Sequence, residues 1–296
     1  MKIVSLLPST TEICYALGLG DAVVGVTHEC DYPEDARTKP HLTANVLPDG
    51  EHSSADIDRM IAERVLHGQS IYDLDTDLLA ELAPDLILTQ ELCEVCAVSY
   101  TDVLAAAQAL PKVPEVAAFE PHNVDEILAS IAEVARLAGI PEQGQVVVGE
   151  LRERLASVAE RVANRTQPRV VCLEWLSPPM VGGHWVPEMV ALAGGVDVLG
   201  RHGEPSRYVT WDEIAAADPD IVIVMPCGYD LDATHLAMRE LDAIPEWHGL
   251  RAVREGRFYP VDGSGLFNRP GPRIIDGVEL LETLFHGTGD AGRGTR

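Results

Sequence analysis

Two cysteines separated by two residues, Cys93 and Cys96, are the side chains in this sequence best suited to metal or redox chemistry. They lie in the segment ELCEVC, next to the carboxylate of Glu91 and directly after the apolar run DLILTQ. A single C-x-x-C is a weak signal for zinc, because structural zinc sites usually combine two such pairs or a pair with histidines. Redox pairs open a helix in a thioredoxin-like context, and the usual neighbours are missing here. The motif alone leaves a metal site, a redox pair and a pocket wall as alternatives.

Two further potential metal ligands occur far from this motif. Cys30 lies in the segment HEC, and His184 lies in the segment GGHW. If they meet Cys93 and Cys96 at one point, the four side chains form a tetrahedral set that zinc or iron accepts at about 2.0–2.3 Å. Otherwise the same residues line a pocket without a metal.

Six short apolar runs predict the strands that must position these residues. Helical patterns separate the runs, which indicates α/β layers with parallel sheets. The runs are KIVSLL, AVVGVT, DLILTQ, RVVCLEW, DIVIVMP and RFYPVD. Because ligands bind beyond the carboxyl ends of parallel strands, the loops after these runs are the predicted binding region.

Most of the unusual residues fall in those loops. The segment Ser9–Thr11 before Glu12 has the pattern of a helix N-cap, whose N–H groups either serve only the helix or also hold a phosphate or carboxylate. Trp175 and Trp185 would give aromatic walls for a flat macrocycle, with packing between lobes as the alternative. The predicted ligand-binding residues are Pro8, Ser9, Thr10, His28, Tyr32, Glu91, Trp175, His184, Trp185, Tyr229, Phe267, Asn268 and Arg269.

A long-range duplication predicts two related lobes. The segment DTDLLAELAPDLILTQ in the first half matches TWDEIAAADPDIVIVMP in the second. Between the halves, apolar residues recur at helical spacing from Pro141 onward. The sequence therefore predicts an α/β lobe at 1–140, a connecting helix at 141–165, a second α/β lobe at 166–285 and a disordered tail at 286–296.

Composition excludes several classes of partner. The net charge is −25, which repels nucleic acid and anionic membrane surfaces. No apolar run is long enough to predict a membrane-spanning helix. Neither a secretory signal nor a lipid-attachment cysteine is recognisable, so the expected location is the cytoplasm, with an extracytoplasmic location as the alternative if an export signal was trimmed.

The segments KIVSLLPSTTEICYALGLGDAVVGVTHECDYP and FNRPGPRIIDGVELL resemble the cobalamin-binding and iron-siderophore-binding proteins of ABC importers. The resemblance covers about residues 2–285 and is closest to the cobalamin-binding branch, with SLLPSTTEI its most specific stretch. It implies two Rossmann-like lobes joined by a backbone helix, with a ligand clamped between the lobes. It also implies that an importer permease is the partner.

We therefore expect a monomeric, non-catalytic protein that holds cobalamin or a related corrinoid in the cleft between its lobes. A cleft thiolate or imidazole could also ligate the cobalt of a corrinoid or the iron of haem. The alternatives are a cytosolic metal- or thiol-dependent enzyme, a metallochaperone that uses the cleft Cys and His residues, and a haem or siderophore binder.

Overall fold

The computed structural model describes residues 1–47, 52–67, 70–90 and 98–287. The chain divides into two compact units. The first comprises Met1–Glu51, Ile57–Glu120 and Leu128–Val148, and the second comprises His52–Asp56, Pro121–Ile127 and Gly149–Arg296.

Strands and helices alternate along most of the chain. The strands are β1 (Ile3–Ser5), β2 (Val23–Gly25), β3 (Thr43–Asn45), β4 (Tyr72–Leu74), β5 (Leu86–Thr89), β6 (Glu115–Ala118), β7 (Arg169–Leu176), β8 (Pro179–Val181), β9 (Val196–Asp197), β10 (Arg207–Tyr208), β11 (Ile221–Val224) and β12 (Phe258–Pro260). The helices are α1 (Pro8–Ala16), α2 (Ser54–Leu66), α3 (Thr76–Leu82), α4 (Tyr100–Gln108), α5 (Val124–Leu137), α6 (Pro141–Val162), α7 (Val186–Leu192), α8 (Trp211–Ala217), α9 (Leu231–Ala237), α10 (Pro245–Gly249), α11 (Arg251–Arg254), α12 (Gly263–Leu266) and α13 (Ile274–His286).

The first unit is built on a parallel sheet in the order β2-β1-β5-β6. Its central strands are buried on both faces, which explains why their sequences are continuous apolar runs rather than alternating ones. A separate antiparallel ribbon pairs β3 with β4, so that Thr43 lies opposite Leu74 and Asn45 opposite Tyr72. This ribbon was not predicted from the sequence.

The second unit is built on a mixed sheet in the order β10-β8-β7-β11-β12. The strands β7, β11 and β12 are parallel, whereas β8 runs antiparallel to β7 and to β10. All six predicted apolar runs are strands in these two sheets and pair in parallel, which confirms the α/β class with two Rossmann-like units. The antiparallel strands β8 and β10 were not predicted.

The duplicated segments have the same local structure in each unit. In the first unit the side chain of Asp75 accepts a hydrogen bond from the N–H of Leu78 and caps α3. In the second unit Thr210 caps α8 through the N–H of Glu213, in a capping box. Each helix is followed by a strand that lies beside the first strand of its own sheet.

The turn after each of these helices is also repeated. Ala83 and Asp218 are non-glycine residues in the left-handed region, with φ of 46° and 41°. Two residues later, the carboxylate of Asp85 accepts from the backbone N–H of Lys2, and that of Asp220 accepts from Arg169, both at 2.8 Å. In each unit, one aspartate thus fastens the turn to the start of the central strand.

The helix α6 continues from the first unit into the second. It has 22 residues, about 33 Å at 1.5 Å per residue. Its apolar positions Val147, Leu151 and Val158 are buried, as the helical spacing predicts. The last helix, α13, ends at His286, and the predicted tail lies outside the described residues from 288 onward. No helix among the described residues combines the length and the hydropathy needed to cross a membrane.

Candidate functional site

In the first unit, the helix after β1 begins at Pro8, two residues earlier than an N-cap at Ser9 would place its start. Leu7 is the N-cap residue, it makes no side-chain cap, and Pro8 opens the first turn. The hydroxyls of Thr10 and Thr11 instead donate to the carbonyl oxygen of Leu7, each at 3.1 Å. The prediction that the Ser9–Thr11 side chains cap this helix is therefore wrong, because proline fixes the first turn and the hydroxyls are used inside it.

The side chains of Ser9 and Thr10 are also almost fully buried, with 4% and 1% of their surface exposed. Ser5 lies 2.7 Å from the hydroxyl of Thr10, so that these groups form a buried polar network.

Cys30 lies in the same buried network. Its Sγ atom is 3.1 Å from the hydroxyl of Thr11 and 3.3 Å from that of Thr27. Cys93 and Cys96, with the predicted ligand-binding residue Glu91, lie outside the described residues. Among the residues that the structure describes, no three His, Cys, Asp or Glu side chains converge on a possible metal position. The predicted zinc or iron site with Cys30 and His184 thus stays a prediction that depends on Cys93 and Cys96.

The first unit contains a small pocket at the carboxyl ends of β1 and β2. It is lined by Leu6, Pro8, Thr27, His28, Glu29, Thr43, Tyr72 and Val98. Pro8 and His28 are predicted binding residues, whereas Thr43 and Tyr72 come from the β3–β4 ribbon. In an antiparallel pair, residues directly opposite each other point to the same face, so Tyr72 shares the face of Asn45 and Thr43.

Residues of the β3–β4 ribbon form hydrogen bonds with the side chains of His28 and Glu29. Nδ1 of His28 lies 2.7 Å from the hydroxyl of Thr43, which also accepts the backbone N–H of His28 at 3.2 Å. The hydroxyl of Tyr72 donates to the Glu29 carboxylate at 2.7 Å, and its ring lies 5.4 Å from the imidazole. The pKa of His28 is lowered, mainly by its burial. Tyr32, another predicted binding residue, lies nearby in the chain and is 48% exposed.

In the second unit, Trp175 on β7 is packed rather than open. Only 8% of its surface is exposed. Its Nε1 donates to the carbonyl oxygen of Ser54 at 3.2 Å, and its ring meets the ring of Tyr229 edge-on at 5.6 Å. Burial and the nearby Glu240 raise the pKa of Tyr229. Little of the Trp175 ring is therefore accessible to a ligand in this conformation.

Trp185, just before α7, is half-buried and begins a row of three aromatic rings. The ring of His184 lies 5.6 Å from Trp185 and 5.7 Å from His122. Burial and the proximity of His122 lower the pKa of His184, which favours its neutral imidazole. A neutral imidazole beside an aromatic face suits contact with a flat ligand or with a metal that the ligand carries.

The backbone of His184 is fixed by the turn that follows β9. His184 has φ of 49°, its N–H donates to the carbonyl oxygen of Glu204, and its own carbonyl accepts the N–H of Gly203. Gly183 is required here, because a Cβ atom would clash with the carbonyl oxygen of Glu204. The segment GGHW thus holds its histidine and tryptophan on a rigid turn.

The loop after β12 forms a hydrogen bond with the Trp185 side chain. Nε1 of Trp185 donates to the carbonyl oxygen of Phe267 at 2.7 Å. The Phe267 side chain has no exposed surface, so it packs in the interior instead of facing a ligand. Asn268 and Arg269 are partly exposed, and the backbone N–H of Asn268 donates to Gly263.

His122, Thr43 and Tyr72 were not predicted as site residues from the sequence. A signal existed for His122, because it follows the apolar residues VAA of β6, one more strand whose carboxyl end leads to a loop. Thr43 and Tyr72 gave none, since β3 and β4 are three residues each and lack an apolar run. Cys14 and Cys172 are fully buried.

The whole chain can now be compared with known proteins. A family model described as "Periplasmic binding protein" matches residues 3–264. The chain belongs to this family.

Relatives of this periplasmic binding protein match nearly its whole length. The vitamin B12-binding protein of Vibrio cholerae is 25% identical over 295 residues, which cover 96% of this chain and 88% of the relative. The crystal structure of the periplasmic vitamin B12 binding protein BtuF of Vibrio cholerae has a TM-score of 0.67 at 24% identity and covers 96% of both chains. The periplasmic heme-binding protein RhuT from Roseiflexus sp. RS-1 has a TM-score of 0.71 at 24% identity, over 96% of this chain and 97% of the other. The two solved structures support the fold.

Membership of the periplasmic binding protein family confirms the resemblance read from SLLPSTTEI and the prediction of a non-catalytic protein. Proteins of this family bind a small ligand and work with ABC importers. The relatives also favour the extracytoplasmic alternative over the expected cytoplasmic location, since they are periplasmic proteins.

Proposed function

We propose that the protein is the substrate-binding component of an ABC importer and that its ligand is cobalamin or a related corrinoid. The observation that carries this proposal is the similarity to vitamin B12-binding proteins over 96% of the chain. The candidate ligand-contacting residues are His28 and Pro8 in the first unit, and His184, Trp185 and Tyr229 in the second.

The chemistry of these residues supports a large, flat, mostly apolar ligand. Trp185 and Tyr229 are aromatic and partly exposed. Binding sites of this kind combine aromatic walls with a few polar groups that fix the orientation of the ligand. The permease of an importer and an extracytoplasmic location follow as parts of the same proposal.

Haem is the second candidate ligand. The periplasmic heme-binding protein RhuT shares the fold, and the neutral imidazole of His184 beside Trp185 could ligate a haem iron. Haem and cobalamin differ in their edges, because haem carries carboxylates whereas the corrin ring of cobalamin carries mainly carboxamides.

A thermal-shift screen with cobalamin, cobinamide, haem and zinc tests these candidates. A ligand at 100 times its dissociation constant stabilises the folded state by about 2.7 kcal/mol. For a chain of this size that raises the melting temperature by about 5 °C or more. We expect the shift with the corrinoids, and a shift with haem alone would reject the corrinoid proposal in favour of the second candidate.

A further inference from the structure

The pocket of the first unit places a hydrogen-bond donor and a hydrogen-bond acceptor side by side. Nε2 of His28 lies 4.0 Å from Oε1 of Glu29, and both residues line the pocket. Their side chains keep 25% and 40% of their surface exposed. Both groups are therefore accessible to a ligand that enters the pocket.

The hydroxyl of Thr43 determines which nitrogen of His28 carries the proton. The Thr43 oxygen already accepts the backbone N–H of His28, and its own proton needs an acceptor because Thr43 is buried. Nδ1 of His28, 2.7 Å away, is in position to accept it. The proton of the neutral imidazole is then on Nε2, which makes that atom the donor.

Tyr72 orients the Glu29 carboxylate, which is the hydrogen-bond acceptor of the pair. Its hydroxyl donates to the Glu29 carboxylate at 2.7 Å, and a carboxylate can accept several hydrogen bonds at once. Thr43 and Tyr72 lie on the same face of the β3–β4 ribbon. One short ribbon thus orients both members of the donor–acceptor pair.

We propose that His28 and Glu29 form a subsite for a primary carboxamide of the ligand. The amide oxygen would accept from Nε2–H of His28, and the amide NH₂ would donate to the Glu29 carboxylate. Each hydrogen bond spans about 2.9 Å, so one amide group bridges a donor and an acceptor that lie this close. Thr43 and Tyr72 are positioning residues for this pair.

The same pair disfavours a carboxylate. A ligand carboxylate in the subsite would have no proton for Glu29 and would bring two negative charges together. The subsite therefore selects against haem, whose edge groups are carboxylates, and for the carboxamide-bearing edge of a corrinoid. This inference rests on the proposed function and specifies which edge chemistry the protein recognises.

Isothermal titration of the full chain with cobalamin and with its monocarboxylate derivatives, in which one peripheral carboxamide is hydrolysed, tests the subsite. We expect at least one derivative to bind about 10- to 100-fold more weakly than cobalamin, the range for loss of a charge-assisted hydrogen bond. In Glu29→Gln, whose amide can donate to a carboxylate, that discrimination should fall several-fold. Glu34→Gln is the matched control, because the side chain of Glu34 is 92% exposed and does not line the pocket.

The role of Thr43 in positioning His28 can be tested separately, through the tautomer of the His28 ring. In nitrogen NMR spectra of the ring, His28 of the unmodified protein should show the Nε2–H tautomer. Thr43→Val should give a mixture of tautomers and weaker discrimination, and Thr43→Ser should restore both. An Nδ1–H tautomer in the unmodified protein would contradict the assignment.

The outcomes separate the two claims. Cobalamin binding with equal affinity for every monocarboxylate overturns the subsite alone, as does discrimination that Glu29→Gln leaves unchanged. Absence of any corrinoid binding overturns the proposed function, and the subsite with it.

Discussion

The indole Nε1 of Trp175 donates a hydrogen bond to the carbonyl oxygen of Ser54, the first residue of α2, at 3.2 Å. Because Trp175 is only 8% exposed, this bond and the edge contact with Tyr229 show that the tryptophan stabilises the second unit. Its role in ligand binding must be separated experimentally from this structural role.

Trp175→Ala should lower the free energy of unfolding by about 3–5 kcal/mol, since a large buried ring is lost. Trp175→Phe keeps an aromatic ring against Tyr229 and loses the hydrogen bond, so we expect the free energy of unfolding to fall by only about 1 kcal/mol. Urea denaturation measures both values. A loss below 1 kcal/mol in Trp175→Ala would show that this ring is not packed as described.

Trp185→Leu should affect ligand binding more than stability. Trp185 is half-buried in the row with His184 and His122, and an aromatic wall contributes about 0.5–1.5 kcal/mol to binding beyond its buried area. Titration should show cobalamin affinity reduced about 3- to 10-fold. Trp211→Leu is the matched control, because that ring packs against Trp247 within α8 and α10 and should leave affinity unchanged. Equal losses in the two variants would argue against a ligand-facing Trp185.

Asp220 should stabilise the fold, because it links the turn after α8 to the start of β7. Its carboxylate accepts from the N–H of Arg169 and from the guanidinium of Arg251, both at 2.8 Å. Asp220→Ala removes both interactions at a partly exposed position, and we expect a loss of about 1–2 kcal/mol. Asp242→Ala, at an exposed position, serves as the control in the same denaturation experiment.

Acid should destabilise the fold by protonating carboxylates that pair with Arg154. This arginine of α6 bonds Asp276 and Glu279 of α13. The hydrogen bonds of Arg154 hold the pKa of Glu279 below its usual value, and Arg154 also contacts Asp276. A carboxylate whose pKa is lowered on folding adds stability above its unfolded pKa, and this contribution is lost as the pH falls through the folded pKa. Glu279→Gln should therefore flatten the decline of the unfolding free energy between about pH 5 and pH 3. An unchanged slope in Glu279→Gln, relative to the exposed control Glu160→Gln, would contradict this account.

Much of the fold follows from sequence because parallel strands buried on both faces leave continuous apolar runs. KIVSLL and DIVIVMP are examples, and both are central strands. The duplication was visible because the same capped helix and aspartate turn precede β5 and β11. The β3–β4 ribbon and the antiparallel β8 were not predicted, since their segments TAN, YDL and PMV lie outside the longer apolar runs that marked β1, β2 and β12.

The candidate site was less predictable than the fold. The strand-end rule placed His28, His184 and Trp185 in loops with accessible surface, but it cannot tell an exposed ring from a buried one. Phe267 illustrates this limit, because its side chain lies in the interior although it follows β12 closely. The partners that orient His28 and Glu29 come from the ribbon, so the donor–acceptor pair emerges only from three-dimensional contacts.

Calorimetric titration of the purified chain with cobalamin tests the central proposal most directly. We predict saturable binding of one corrinoid per chain, with cobinamide as a second ligand and weaker binding of haem. No saturable binding of either corrinoid, or tighter binding of haem than of cobalamin, would contradict it.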